Sequence, residues 1–232
     1  MQYPIIVKNY YTTLSEEILS LAKSGKDTVT LRRQLFYIRQ AKLEKSLNTD
    51  DLKKTFWINI YNAFYLINLK ETKQGKEIFN LKRIKIARAI FSLNDIEHGI
   101  LRKYKFRIGF GYITNPFYSD FIKTLAVSKV DYRIHFALRS INLEKKTIDY
   151  FDCEEIEKQL TIVTKDFIRL ETEFDNESKT IRASDFLLSY LRDFGGKKSV
   201  KKLLETVFER DLNEYKLRFK TYKRTEKLQR VS

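Results

Sequence analysis

The sequence predicts an α+β fold, with a helical N-terminal third followed by a mixed region of helices and a small antiparallel sheet. In the first 70 residues, apolar side chains recur every three or four positions, as in amphipathic helices. Later segments alternate apolar and polar residues, as half-buried strands do. No repeat or proline-rich linker divides the chain, so we predict one domain over residues 1–232.

Two helices are predicted before residue 48. Residues 13–25 begin with capping-type residues and end at a glycine, with leucine and isoleucine at near-helical spacing. Residues 27–47 form a second, basic helix, in which apolar positions recur on one side. These positions are Leu31, Leu35, Ile38 and Leu43.

The third predicted helix contains "KKTFWINIYNAFYLI", residues 53–67, and is apolar almost all round. The polar residues 48–51 cap it, and we expect it to be the most buried element. Asn59 and Asn62 lie three positions apart and share one helix face. A buried carboxamide must be paired, so both bond to loop backbone or contact a ligand, and Asn62 could orient a histidine.

The middle of the chain is predicted to contain shorter elements. An alternating stretch after residue 75 predicts a strand, and Asn94 or Asp95 then caps a short helix that holds Glu97 and His98. Residues 131–138, "DYRIHFAL", alternate and predict a strand. That strand would present His135 on its less apolar face.

The C-terminal part is predicted to alternate helices with short strands. A capping box at Asp152 and Glu155 opens a helix that ends near residue 169, and two strands then flank a polar turn at residues 175–178. Ser184 caps a helix that stops at Gly195. Residues 197–232 form a basic amphipathic helix and a basic edge strand.

Composition excludes several classes of protein. A single cysteine, Cys153, excludes a disulfide framework and any cysteine-rich metal cluster. No segment reaches the roughly 18 apolar residues that a membrane span needs, so we expect a cytoplasmic protein without a span. The net charge of +15 would draw the chain towards polyanions such as nucleic acid or acidic lipid.

Three motifs together resemble a known family. "FWINIYNAF" at residues 56–64, "FSLNDIEHGILR" at residues 91–102 and "DYRIHFAL" at residues 131–138 match the order and approximate spacing of the family called domain of unknown function 547. The resemblance covers about residues 56–194. It implies a scaffold resembling cysteine hydrolases or transferases, acting on a small-molecule or peptide substrate.

The resemblance also singles out site residues, including the only two histidines of the chain. The implied catalytic residues are His135, His98, Glu97 and Asn62. The implied substrate-binding residues are Arg133, Arg102, Asn59 and Trp57. We expect both histidines and Glu97 to converge in one polar cleft beside the asparagine helix, where an imidazole could act as a general base.

The chain departs from the family pattern at its thiol. In the family, the histidine segment usually continues into a cysteine-containing turn, whereas residues 139–146 here read "RSINLEKK" and place Ser140 near the first cysteine position. Cys153 has no family motif around it. The chain is therefore either a divergent active member or a pseudoenzyme that has lost its chemistry.

Other interpretations of the same residues stay open. The histidines could be structural and tied to backbone carbonyls. A zinc site formed by the histidines with Asp95 or Glu97 lacks helical His-x-x-x-His spacing, so we predict no metal and no cofactor. The alternative function is a basic binding module for nucleic acid or an acidic protein partner, because residues 197–232 carry twelve Lys or Arg against five Asp or Glu.

Overall fold

The computed structural model describes residues 8–72, 76–107, 109–138 and 148–220. It confirms the α+β class: helices predominate and two small sheets accompany them. Buried apolar side chains from helices and strands along the whole described chain form one contiguous cluster. None of the described helices is both long and apolar enough to cross a membrane.

Four helices form the N-terminal part of the chain: α1 (Tyr10–Lys23), α2 (Val29–Tyr37), α3 (Gln40–Ser46) and α4 (Asp50–Glu71). The prediction of one helix over residues 27–47 was wrong. The backbone of Ile38 is extended, with ψ of 139°, and separates α2 from α3. The break lets Leu35 and Leu43 both reach the core, where neither is exposed.

Helix α4 is buried on nearly all sides, as predicted. Thr49 caps it by accepting a hydrogen bond from the Leu52 N–H at 3.3 Å. Its side chains are buried from Lys54 to Asn68 except for Leu66. It packs most extensively against α1 and also contacts elements from the middle of the chain, so α4 is the central helix of the fold.

The middle region begins with a hairpin and a π-helix. Strands β1 (Ile84–Ile86) and β2 (Ala89–Phe91) pair antiparallel, and the π-helix covers Asp95–Leu101. Asp95 Oδ2 accepts hydrogen bonds from the Ser92 N–H at 2.7 Å and the Ser92 hydroxyl at 2.8 Å, which fixes the start of the π-helix. The predicted order of strand and then short helix is therefore confirmed.

Residues 131–138 do not form the predicted strand. They contain the short helix α6 (Ile134–Ala137), which follows α5 (Asp120–Leu125). Asp131 stabilises the turn into α6 by accepting bonds from the Arg133 N–H and Nε–H, both at 3.0 Å. His135 and Ala137 are as completely buried as Ile134 and Phe136, so the alternation of residue types does not separate a core face from a solvent face.

The C-terminal part contains three further helices and a three-stranded sheet. The helices are α7 (Ile156–Glu171), α8 (Asp185–Ser189) and α9 (Lys197–Phe208). The strands are β3 (Glu173–Asp175), β4 (Thr180–Ala183) and β5 (Lys216–Phe219). Strands β3 and β4 pair antiparallel as expected, whereas β5 joins the β4 edge in parallel, so this sheet is mixed.

Two predicted helix boundaries in this part were wrong. The capping box at Asp152 is not closed, because the Asp152 N–H donates to Gln159 Oε1 at 2.8 Å and not to Glu155, and α7 begins only at Ile156. Ser184 caps α8 as predicted, but α8 ends at Ser189 instead of continuing to Gly195. The chain turns after α8, and this turn brings the side chains of Tyr190 and Asp193 into the interior of the molecule.

Candidate functional site

His135 is the centre of a buried polar network. It lies in α6 with no solvent exposure. Its Nε2 atom is 2.9 Å from Oδ2 of Asp193, which follows α8. A residue of the third motif is thus joined to a carboxylate 58 positions later in the chain.

Arg102 holds the same carboxylate from the other side. Its Nε–H donates to Asp193 Oδ2 at 2.6 Å, and the side chains of Arg102 and Asp193 are only 1% and 2% exposed. Gly111 packs against this ion pair with φ of +87°, and a Cβ there would lie 2.6 Å from Asp193 Oδ1. A glycine is therefore needed for the close approach of this loop.

Arg102 also connects the second histidine to the network. Its Nη1 atom is 2.9 Å from His98 Nδ1. Because a guanidinium can only donate, Nδ1 of His98 must accept the bond, and His98 is neutral with its proton on Nε2. His98 and His135 are therefore linked through Arg102 and Asp193, in a buried network and not in the open polar cleft that we expected.

Glu97 lies beside the histidines and is held by two tyrosines. Tyr190 donates its hydroxyl to Oε1 at 2.7 Å, and Tyr61 donates to Oε2 at 3.2 Å. The Tyr190 ring lies against the His135 ring with centroids 3.9 Å apart, and Arg102 lies 4.7 Å from the Tyr190 centroid. Tyr190 is half-buried, whereas Glu97 and His135 are buried.

Burial and hydrogen bonds set the charges of the central pair. Burial lowers the pKa of His135 from its ordinary value, although the bond to Asp193 acts in the opposite direction. Burial by itself would raise the pKa of Asp193, but hydrogen bonds from His135 and Arg102 and the positive charge of Arg102 lower it instead. We assign a neutral His135 that donates its Nε2–H to ionised Asp193, so that Nδ1 is the basic ring nitrogen.

The comparisons with known proteins place these motifs in a family. The model of the family described as "Protein of unknown function, DUF547" matches residues 45–168, just over half of the 232 residues. The chain belongs to this family. No curated protein and no solved structure matches the chain. His98, Arg102 and His135 lie inside the DUF547 match, whereas Tyr190 and Asp193 lie beyond its end.

The two asparagines of the first DUF547 motif bond to backbone. Asn59 donates to the Phe151 carbonyl at 2.8 Å and accepts from the Phe151 N–H at 2.9 Å. Asn62 donates to the Ala137 carbonyl in α6 at 3.1 Å. Asn62 therefore holds the helix that carries His135, and its hydrogen bond is to backbone instead of the imidazole.

Trp57 and Arg133 lie apart from the network. Trp57 is fully buried and packs against Phe56 and Phe91. Arg133 pairs with Asp131 and Glu157, each at 2.7 Å, and lines a separate cleft of about 470 Å³. Among the described residues, neither side chain is hydrogen-bonded to His98 or His135.

Sequence reasoning missed Asp193, Tyr190 and Tyr61. Tyr190 and Asp193 fall in a stretch predicted to be helix, where a tyrosine and an aspartate three positions apart carry no distinctive signal. Tyr61 lies between the two asparagines of the first motif and passes for a core aromatic residue.

A metal site has no support in the described residues, which contain no group of three His, Cys, Asp or Glu side chains able to hold an ion.

Cys153 is not part of the described network around His135. Cys153 is half-buried, and burial raises the pKa of its thiol, which disfavours the reactive thiolate. The segment that contains Ser140 lies outside the described residues. The implied likeness to cysteine hydrolases stays a prediction.

Proposed function

We propose that this chain is a hydrolase- or transferase-like DUF547 member in which His135 acts as a general base without a thiol. The observation that carries the proposal is the buried 2.9 Å hydrogen bond between His135 Nε2 and Asp193 Oδ2. A carboxylate in this position fixes the imidazole tautomer and stabilises the imidazolium that forms when the base takes a proton. The substrate is a small molecule or a peptide.

Each part of the network has a role in this proposal. His135 Nδ1 accepts the proton of a water or of an acceptor hydroxyl as its oxygen attacks the acyl carbon of the substrate, and the imidazolium then gives that proton to the leaving group as the bond between the acyl carbon and the leaving group breaks. Arg102, bonded to Asp193 at 2.6 Å, keeps the carboxylate ionised. His98 and Glu97 hold Arg102 and Tyr190 in place. The reaction needs no protein thiol, which agrees with the missing cysteine turn.

Access to His135 depends on Tyr190. His135 has no exposed surface, and the half-buried Tyr190 ring covers one face of its imidazole. Substrate contact therefore requires displacement of Tyr190, whose hydroxyl is tied to Glu97. Tyr190→Ala should make His135 reactive towards diethyl pyrocarbonate, which mass spectrometry can assign because the chain has only two histidines.

Turnover of a panel of activated esters and short peptides tests the proposal. His135→Gln and Asp193→Asn should each abolish turnover in folded protein, while Lys158→Gln, a control on the exposed side of α7, should retain it. kcat/KM should rise with pH through a lowered His135 pKa and then stay level. Ligand binding by the wild type without any turnover would contradict acid–base catalysis and identify a pseudoenzyme.

A basic binding module is the second candidate, supported by the net charge of +15 and by exposed lysines on α9. Salt-dependent binding of a duplex or single strand of DNA would support it. The variant Lys197→Gln/Lys198→Gln/Lys202→Gln should then weaken binding, whereas His135→Gln should not. Binding that is equally strong in both variants would contradict an interface on α9.

A further inference from the structure

A hairpin in the middle of the chain exposes an unusual set of apolar side chains. The Phe106 N–H donates to the Ile113 carbonyl at 3.0 Å, and Lys105 and Thr114 form an antiparallel bridge. Four described apolar side chains in or near this pairing are exposed by half or more. They are Phe110 at 52%, Tyr112 at 58%, Ile113 at 50% and Phe117 at 88%.

Two backbone hydrogen bonds fix residues 109–112 of the hairpin. The Tyr112 N–H donates to the Gly109 carbonyl at 2.9 Å, and the Arg192 N–H donates to the Phe110 carbonyl at 3.0 Å. Gly109 has φ of +85°, and a Cβ at Gly109 would lie 2.8 Å from Ile113. Because these hydrogen bonds fix the backbone, the exposure of the rings is a property of the folded chain.

Basic side chains lie on the same hairpin or contact it. Lys105, Arg107 and Arg192 belong to the hairpin or contact it, and Arg192 lies 5.5 Å from the Tyr112 ring centroid. Within the described part of the chain, none of the three forms an ion pair with a carboxylate. We name this surface the aromatic hairpin: Lys105, Arg107, Phe110, Tyr112, Ile113, Phe117 and Arg192.

We propose that the aromatic hairpin docks the protein on an anionic membrane surface. Aromatic and apolar side chains are stable at the boundary of headgroups and acyl chains, and neighbouring Lys and Arg are attracted to acidic headgroups. A nucleic acid would stack bases on the rings and pair its phosphates with the basic side chains, but it would leave the aliphatic Ile113 exposed. The boundary of headgroups and acyl chains takes up aromatic and aliphatic side chains alike and needs no surface matched in shape to the hairpin, so we assign the membrane as the partner.

Co-sedimentation of the full chain with vesicles tests the proposal. The wild type should bind vesicles of phosphatidylcholine with 30% phosphatidylserine and should not bind pure phosphatidylcholine. Phe110→Ser/Phe117→Ser should weaken binding at least tenfold. The matched control, Tyr37→Ser/Leu170→Ser, removes two side chains that are 63% and 67% exposed elsewhere and should leave binding unchanged.

A second variant pair tests the basic side chains. Lys105→Gln/Arg107→Gln/Arg192→Gln should weaken vesicle binding on the order of 100-fold, at about fivefold per charge near the surface. Lys197→Gln/Lys198→Gln/Lys202→Gln makes the same change of charge on α9 and should have a much smaller effect. Circular dichroism and thermal melting establish that every variant is folded.

Three outcomes would overturn the inference. One is a wild type that does not bind anionic vesicles, and another is equal loss of binding in the hairpin variants and their controls. The third is that the protein binds a fluorescent DNA oligonucleotide but no vesicles, and that removal of the hairpin charges weakens the DNA binding. This result would assign the surface to nucleic acid. Turnover by the His135 centre is not measured in any arm, so the inference stands or fails independently of the proposed function.

Discussion

His135 shows how burial and one carboxylate determine the state of a single residue. An exposed histidine titrates near pH 6.5, where it would spend much of its time protonated in mildly acidic solution. Burial lowers the pKa of His135, and Asp193 accepts its Nε2–H. The imidazole is therefore neutral, oriented and basic at Nδ1, which a general base requires.

The lowered pKa of His135 predicts a pH dependence of stability. Below pH 6.5 the unfolded chain takes up a proton at His135 that the folded chain does not, so the free energy of unfolding should fall as pH decreases. The contribution is at most about 1.4 kcal/mol per pH unit and vanishes above pH 6.5. Urea unfolding of the wild type and His135→Gln should show a shallower acid slope in the variant, and equal slopes would contradict a lowered pKa.

Asn59 and Asn62 should differ in their importance for stability. Asn59→Ala removes both bonds to the backbone of buried Phe151, and each unpaired buried group costs about 1–3 kcal/mol. Asn62→Ala removes one bond to Ala137 and should cost about 1–3 kcal/mol in total. Denaturant midpoints measure both effects, and an unchanged midpoint for Asn62→Ala would contradict its burial.

Cys153 should be dispensable for function. Burial raises the pKa of its thiol, and Cys153 lies outside all three motifs. Cys153→Ser should therefore leave turnover or ligand binding unchanged in assays of the purified protein. Complete loss of function in folded Cys153→Ser would instead identify this thiol as a relocated nucleophile.

At the scale of elements, the spacing of polar and apolar residues predicted those helices and strands whose faces differ in polarity or are apolar throughout. The spacing predicted α4, which is apolar on almost all sides, and the strands β3 and β4, in which apolar and polar residues alternate. Alternation failed at α6, where both faces are buried and the short turn is fixed by Asp131. A helix of four residues is too short for the 3.6-residue period to appear.

The π-helix should be sensitive to one added methyl group. A Cβ at Gly99 would lie 2.9 Å from Ile122 Cγ2 and 3.0 Å from Tyr118 Cε1, closer than packed side chains allow. Gly99→Ala should lower the free energy of unfolding by about 1–3 kcal/mol through overpacking.

Tyr118 provides an optical measurement of the same change. Burial raises the pKa of Tyr118 to about 12. If the added methyl displaces its ring, the Tyr118 pKa should move towards the ordinary value of about 10 in Gly99→Ala. A difference titration of tyrosinate absorbance against the same protein carrying Tyr118→Phe isolates Tyr118 from the other tyrosines. An unchanged denaturation midpoint together with an unchanged titration would show that the π-helix has room for the side chain.

At the scale of the whole molecule, the network joins parts of the chain that the sequence presents separately. The motifs predicted that His98 and His135 belong to one site, and the structure brings them together through Arg102. The carboxylate that completes the connection, Asp193, follows α8 and lies 25 residues beyond the family match, which ends at residue 168. No local pattern marks an aspartate whose partners are 58 and 91 positions away, so this contact could come only from the fold.

The most direct test of the His135–Asp193 centre is a ¹⁵N NMR titration of the imidazoles from pH 8 to pH 5. The chain has two histidines, and comparison with His135→Gln assigns their signals. We predict that His135 stays neutral below pH 6.5 with its proton on Nε2, and that Asp193→Asn removes this fixed tautomer. A His135 that titrates at or above pH 6.5, or that carries its proton on Nδ1, would contradict the account.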